Sequence, residues 1–243
     1  MELTNSKYWA KCYSNYNFRK HEKDHAVYQY IDKFIPDTDD KSFLEIGSFP
    51  GSFSAKFGDK GYVLNGIDIY AENALGLVNW FKSLKYKIGE FFVSDFFNHE
   101  FNKKYNVVGS FGFIEHFTNF TEVIKNHLDL VEVGGYIIIV TPNYRGFFQK
   151  YIHRYFAKND FNNHFIPSMN PECWEKVIAT YGFKTIHCGY FGGFKLWVPL
   201  EKKSFINKLF FRIVYKLSNI LNSIIWFESS LFSQYCGIVA QKK

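Results

Sequence analysis

The sequence predicts an α/β fold, doubly wound around a mainly parallel sheet. Three observations predict it. Short apolar runs of strand length alternate with helix-patterned segments from Phe43 to Val140. The first of these runs passes into a helix through two glycines, in FLEIGSFPGSFS from Phe43 to Ser54. The run YIIIV, Tyr136 to Val140, is the most strand-like in the chain and follows the pair Gly134-Gly135.

The elements follow in order. His21 to Ile35 carries Ala26, Val27, Tyr30, Ile31 and Phe34 at helical spacing and is stopped by Pro36. Phe43 to Ile46 reads as a short buried strand, with a helix from Ser52 to Phe57 after the glycines. Tyr62 to Ile69 is a second strand and Ala71 to Phe81 a second flanking helix. Lys87 to Val93 and Tyr105 to Phe111 are further strands, and Thr121 to Leu130 is helical. MNPECWEKVIATYGF is a helix with Pro171 in its first turn and Gly182 near its stop. FKTIHCGYFGGFKLW returns as a strand or hairpin, the tail from Ser204 is helical in pattern, and YCGIVAQKK closes the chain as a strand. No repeat or low-complexity linker divides it, so residues 1–243 read as one domain.

Composition narrows the function. The 243 residues are 47% hydrophobic and 21% charged, as a folded globular chain requires. The four cysteines, Cys12, Cys173, Cys188 and Cys236, form no CxxC and no paired framework, so reduced thiols in a cytoplasmic setting are expected. The N-terminus lacks a basic start followed by an apolar run, and no stretch reaches the roughly 18 apolar residues of a membrane span. Net charge is +6, but Met1 to Phe194 balances 21 basic against 21 acidic residues. The excess lies from Lys195 onward. That excludes a nucleic-acid binder with charge spread along a broad face.

The glycine turn raises the question of ligand. Gly47 and Gly51 permit positive φ and close approach of backbone, and the helix start at Ser52 offers free N–H groups to a polar ligand. Alone, G-x-x-x-G signals only a tight turn. Here it is followed by NGIDIY, which ends a second strand at Asp68 about twenty residues on, where an acid can bond a ribose diol. FFVSDFF then places Asp95 after the third strand, and VVGSFGFIEHF ends the fourth.

This series resembles the class I S-adenosylmethionine (SAM) dependent methyltransferases, over about Phe43 to Asn143 and more weakly to Phe194. The resemblance implies a Rossmann-like methyltransferase sheet with an antiparallel last strand, and SAM as cofactor. Glu45, Gly47 and Gly51 look like the family's first motif, with the loop passing under the amino-acid part of SAM. Phe49 and Pro50 depart from it, since a middle glycine is usual. Asp68, with Ile69 beside it, matches the acid on the ribose hydroxyls. Asp95 matches the contact to the adenine amino group, with Phe96 or Phe97 against the ring. Glu115 and His116 match the segment that lines the methyl-transfer site. Glu115 suits a backbone amide as well as chemistry.

Methyl transfer is an in-line displacement, and a hydroxyl acceptor has to lose its proton. His116 is the first choice for general base and His164 the second. An E-x-x-E-H run binds metal in some relatives, but Gly112 stands where the first Glu would be, so no metal is expected. The segment after the fifth strand concentrates Asn143, Tyr144, Arg145 and His153, the expected acceptor contacts; aromatics beside Arg and Asn suit sugars and phosphates. NHFIPSMNP and GYFGGFKLW are similar to bacterial methyltransferases of surface-glycan synthesis. The expected reaction is therefore O-methylation of a sugar or sugar-phosphate derivative, with a lipid, quinone or amine as the alternative acceptor. The N-terminal segment 1–36, with Tyr8, Trp9, Tyr13, Tyr16 and Arg19, is a candidate cap over SAM or a strap on the core.

Rival readings fit less well. A nicotinamide dehydrogenase needs G-x-G-x-x-G and room for a pyrophosphate, whereas Phe49 and Glu45 stand here. A nucleic-acid methyltransferase would carry N-P-P-[YF] or a Pro-Cys nucleophile after strand four, and neither is present. A non-catalytic scaffold need not keep the whole acidic and glycine set. Finally, about 200–232 reads as a helical insertion before the last strand. Ile206, Leu209, Ile213, Leu217, Ile220, Leu221 and Ile224 lie at helical spacing, with Lys208, Arg212 and Lys216 on the other side. The favoured expectation is that this apolar face packs on the domain's own core. A homodimer contact and a peripheral contact at the inner membrane face are the alternatives.

Overall fold

The computed structural model describes residues 2–14, 16–70, 74–194, 205–224 and 227–243. The sequence-predicted start of a helix at Ala71 and the FKLW end of the predicted hairpin lie outside the described residues. Seven strands form one sheet in the order β3-β2-β1-β4-β5-β7-β6. These are β1 (Ser42–Ile46), β2 (Val63–Asp68), β3 (Ile88–Val93), β4 (Tyr105–Phe111), β5 (Val131–Pro142), β6 (Phe183–Phe191) and β7 (Tyr235–Lys242). The first five pair in parallel, and β7 inserts antiparallel between β5 and β6.

The predicted fold is present. Nine α-helices are described: α1 (Ser6–Tyr13), α2 (Ala26–Phe34), α3 (Ser52–Asp59), α4 (Ala74–Ser83), α5 (Phe120–Asp129), α6 (Phe147–Phe156), α7 (Lys158–Asn162), α8 (Pro171–Ala179) and α9 (Phe205–Ile224). Parallel strands need both faces covered, so their apolar runs are continuous and successive residues serve opposite cores. Phe43, Leu64, Val107 and Ile138 face a cluster completed by Ile31 of α2, Phe57 of α3 and Phe81 of α4. Leu44, Val108, Ile137 and Ile139 face the other, completed by Val123 and Leu128 of α5 and Trp174 and Ile178 of α8. Stacking of Phe43 on Phe57, with ring centroids 3.6 Å apart, ties β1 to the helix that follows the glycine turn.

Two regions differ from the sequence reading, and a third, read as a strand or hairpin, is described as a strand. β5 begins at Val131 rather than after the glycines, and a register shift between Tyr105 and Val107 of β4 accommodates the extra length. FKTIHCGYF is one strand, ended where Gly192 and Gly193 both take positive φ. The region after β5, for which the sequence reading named no secondary structure, holds α6 and α7.

The switch in winding direction falls between β1 and β4, and the carboxyl ends of β1, β2, β3 and β4 share one edge of the sheet. Open α/β sheets place ligands at such an edge.

Candidate active site

A cavity of about 230 Å³ opens at this edge. Its floor is the turn from β1 to α3. Gly47 (φ +73°) and Gly51 (φ +81°) are both in the left-handed region, where a side chain would be strained. A Cβ at Gly47 would also lie 2.7 Å from the Phe113 ring, which walls the cavity. Phe49, at the position where a small residue was expected, is buried among Tyr13, Phe18 and Tyr70 at ring-centroid distances of 4.9, 5.7 and 4.9 Å. Its bulk therefore docks the N-terminal segment onto the loop.

The acids stand around this floor. Glu45 is buried on β1, and its carboxylate accepts a hydrogen bond from the Ser54 hydroxyl of α3. Removal from water pushes its pKa up to about 8 against the opposing Ser54 bonds. Asp68, at the end of β2, accepts from the backbone N–H groups of Phe49 (2.9 Å) and Tyr70 (2.8 Å). Burial raises its pKa to about 6 despite these bonds. Ile69 lies exposed beside it on the cavity wall. Asp95, after β3, accepts from the Phe97 N–H (3.0 Å) and the Asn98 side-chain amide (2.6 Å). Phe96 is buried next to Phe113 and presents itself to the same space.

Glu45, Asp68 and Glu115 all have raised pKa values, the last to about 8 through burial. Between the unfolded carboxylate range and these values the three carboxyls bind more protons in the folded chain than in the unfolded one. Their contribution to stability therefore falls as pH rises from about 4 to about 8, while the buried histidines His116 and His127, with lowered pKa values, oppose it below about 6.5. Glu45→Gln is expected to flatten part of that slope and raise the melting temperature at pH 8. An unchanged pH profile of thermal unfolding would show that Glu45 is already ionised in the fold.

The fourth strand leads to His116. Its Nδ1 lies 2.9 Å from the Asn163 carbonyl, so Nδ1 carries the proton and Nε2 is the basic atom. Burial, then the His164 charge, lowers its pKa to about 3. His116 lines the cavity, with Trp9 of α1 edge-on at 5.0 Å. His164 stands behind it, with ring centroids 4.7 Å apart, and donates from Nδ1 to the Asp160 carbonyl at 2.6 Å. Its pKa is lowered by burial, while Asp160 favours the charged form. Glu115 points into the same group, its Oε2 buried and without a hydrogen-bond partner among the described residues. Glu115, His116 and His164 offer ligand atoms within 4.8 Å of one another, a set that can hold a cation as well as a proton. The expectation of no metal weighed Gly112; the fold adds His164 from another element.

The predicted acceptor contacts divide. Tyr144 and His153 are buried and stacked 4.2 Å apart, and the Tyr144 hydroxyl donates to Asp160 at 3.2 Å. They lie behind His164 (Tyr144 ring at 4.9 Å) rather than on the cavity wall. Asn143 is also buried away from it. Its side-chain amide donates to the carbonyls of Ser230 (3.0 Å) and Ser233 (2.9 Å), so it staples β5 to the turn before β7. Arg145 is exposed. The sequence reading passed over Asp160, for which no motif signals, and Glu2. Glu2 lines the cavity where the N-terminus pairs with Phe117.

One property of this cavity decides its ligand. Its wall carries four acids, Glu2, Glu45, Asp68 and Asp95, and ten Phe, Tyr or Trp, with no Lys or Arg among the described lining residues. Such a wall repels a pyrophosphate and accepts a cation attached to a flat ring. A family profile described as "Methyltransferase domain" matches residues 18–188, and the chain belongs to that family. It is a methyltransferase of class I fold.

Solved structures agree with the fold. A SAM-dependent methyltransferase from Archaeoglobus fulgidus is 21% identical, with 89% of this chain and 93% of that one covered at a TM-score of 0.57. Magnesium protoporphyrin IX methyltransferase from Synechocystis, solved with SAM, is 14% identical (89% and 76% covered, TM-score 0.52). The plantazolicin methyltransferase BpumL, solved with S-adenosylhomocysteine, is 17% identical (89% and 80%, TM-score 0.52). Among curated proteins, none matches.

Proposed function

We propose that the chain transfers a methyl group from SAM to a hydroxyl of a small polar acceptor, a sugar or sugar-phosphate derivative by preference. The observation that carries the cofactor is the acidic, aromatic wall without Lys or Arg. SAM supplies an electrophilic methyl on a sulfonium, and its ammonium and sulfonium are the cations such a wall suits. The residues present fit it. Asp68 retains carboxylate lone pairs beyond the two taken by Phe49 and Tyr70, and these suit a ribose diol. Asp95 and Phe96 flank the place for the adenine. Glu45 holds the turn through Ser54, and a cation bound nearby lowers its pKa.

The His116 end of the cavity takes the acceptor. Trp9 and Tyr13 of α1 lie over both ends and exclude water from the reacting atoms. His116 Nε2 receives the acceptor's proton, and His164 stands behind it, held through its Nδ1 by the Asp160 carbonyl. Tyr144 and His153 hold Asp160 in place. Arg145, which is exposed, remains the candidate for a phosphate on the acceptor.

The test is a panel of nucleotide-linked and phosphorylated sugars, lipids, quinones and amines, read as homocysteine release. Turnover is expected with a hydroxyl-bearing sugar and to be indifferent to EDTA. Turnover confined to amines would remove the O-methylation reading, and abolition by EDTA would put a metal at Glu115, His116 and His164.

A further inference from the structure

Helix α9 is turned the opposite way from the sequence expectation. Ser218 is fully buried, with Val214 and Asn222 partly buried one turn to either side. Asn222 anchors this line by accepting the Phe194 N–H at 2.8 Å. At about 100° per residue, the half of the helix away from Ser218 holds Leu209, Ile213, Leu217, Ile220 and Ile224. These are 50, 53, 53, 51 and 67% exposed. The apolar stripe therefore faces solvent and does not pack on the core. Arg212 and Lys216 flank it, both exposed, and α9 contains no acid.

Helix α6 repeats the arrangement. Gln149 and His153 face inward, while Phe147, Tyr151 and Tyr155 face outward, with Lys150 and Arg154 exposed among them and again no acid. The two helices are linked through Phe194 and the turn before β7. Phe148 of α6 packs on Phe194 at 4.8 Å, next to the Asn222 anchor, and Asn143 ties the start of α6 to the turn after α9. Two helices with buried polar lines and exposed apolar, basic faces are thus joined at the same segments, Phe194 and the turn before β7.

We infer that this face is a docking surface for an anionic lipid bilayer. An exposed apolar stripe flanked by Lys and Arg is what a helix needs to lie in a membrane interface, apolar side among the acyl chains and cations at the headgroups. A second copy of the chain fits less well, because isologous pairing would bring the basic flanks of both copies together. No helix among the described residues is long and apolar enough to cross the membrane, so the contact is peripheral. The inference deepens the proposed function and rests on it for one point. Helix α6 buries His153 against Tyr144, which lies beside His164, so a bilayer on its outer face lies one helix away from the group behind His116, which suits an acceptor hydroxyl carried on a lipid.

The experiment is flotation of the full chain with phosphatidylcholine vesicles, with and without phosphatidylglycerol, alongside SAM titration and mass measurement in solution. Binding is expected only with phosphatidylglycerol and to weaken with salt. Arg212→Gln with Lys216→Gln should weaken it roughly thirtyfold, two charges being removed at the surface. Ile213→Asp with Ile220→Asp should abolish it while SAM affinity stays as in the wild type, which shows the fold intact. No flotation at low salt overturns the inference, as does a dimer that the Ile213→Asp, Ile220→Asp variant converts to monomer. Loss of SAM binding in the wild type would instead sink the cofactor reading and leave the flotation result standing.

Discussion

His116→Ala is expected to lower the turnover number by on the order of a hundredfold and to leave SAM affinity within a few-fold. The imidazole is held in one tautomer by the Asn163 carbonyl, so Nε2 is the atom left to receive a proton. It lies on the cavity wall, whereas the residues proposed for SAM, Asp68 and Asp95, follow other strands. Its low pKa keeps it neutral across the working range, so the base form is always present. The same low value, set by burial and by the His164 charge, makes it a weak base. His164→Ala removes a charge that opposes protonation of His116, so it should raise the His116 pKa and leave turnover higher than in His116→Ala. If His116→Ala turns over within a few-fold of wild type in a coupled homocysteine assay, His116 is a wall and not the base.

Asp68→Ala is expected to weaken SAM binding by on the order of a hundredfold. The Asp68 carboxylate accepts two backbone N–H bonds, from Phe49 and Tyr70, and so fixes the loop from both strand ends. Bonds to a charged acceptor contribute about 1.5–3 kcal/mol each, and leaving the amides unpaired adds to the loss. Asp68→Asn separates the two roles. Its one acceptor oxygen can keep an amide bond, but it lacks the charge that favours a ribose diol and a nearby cation. Affinity for SAM should fall in Asp68→Asn, with a smaller loss of melting temperature than in Asp68→Ala, since one of the two amide bonds is kept. A wild-type dissociation constant in Asp68→Ala would show that this acid serves only the turn.

Much of this site was legible because strand-end chemistry is local. An acid or glycine that ends an apolar run is delivered to the carboxyl edge of the sheet by the topology, whatever the loops do. Glu45, Gly47, Gly51, Asp68, Asp95 and His116 are brought together in that way. The rest depended on contacts between distant elements. His164 reaches His116 only through α7 and the turn after it, and Asn143 looked like a pocket residue because its partners are backbone carbonyls about 90 residues away. Helix α6 was not named from the sequence, since the residues it buries are Gln149 and His153 rather than an apolar stripe. Helix α9 was readable as a helix but not in orientation. Periodicity reports which residues share a face, and here the face turned inward is the one with Ser218 and Asn222.

The central claim is that the acidic, aromatic cavity takes SAM. Calorimetric titration of SAM into the wild-type chain tests it most directly, run near pH 7 in two buffers of different ionisation enthalpy. One saturable site at micromolar levels is expected. Proton release should accompany binding, because a cation placed beside Glu45 draws its pKa down from about 8. Glu45→Gln should remove that release. A flat titration of the folded wild-type chain would contradict the account.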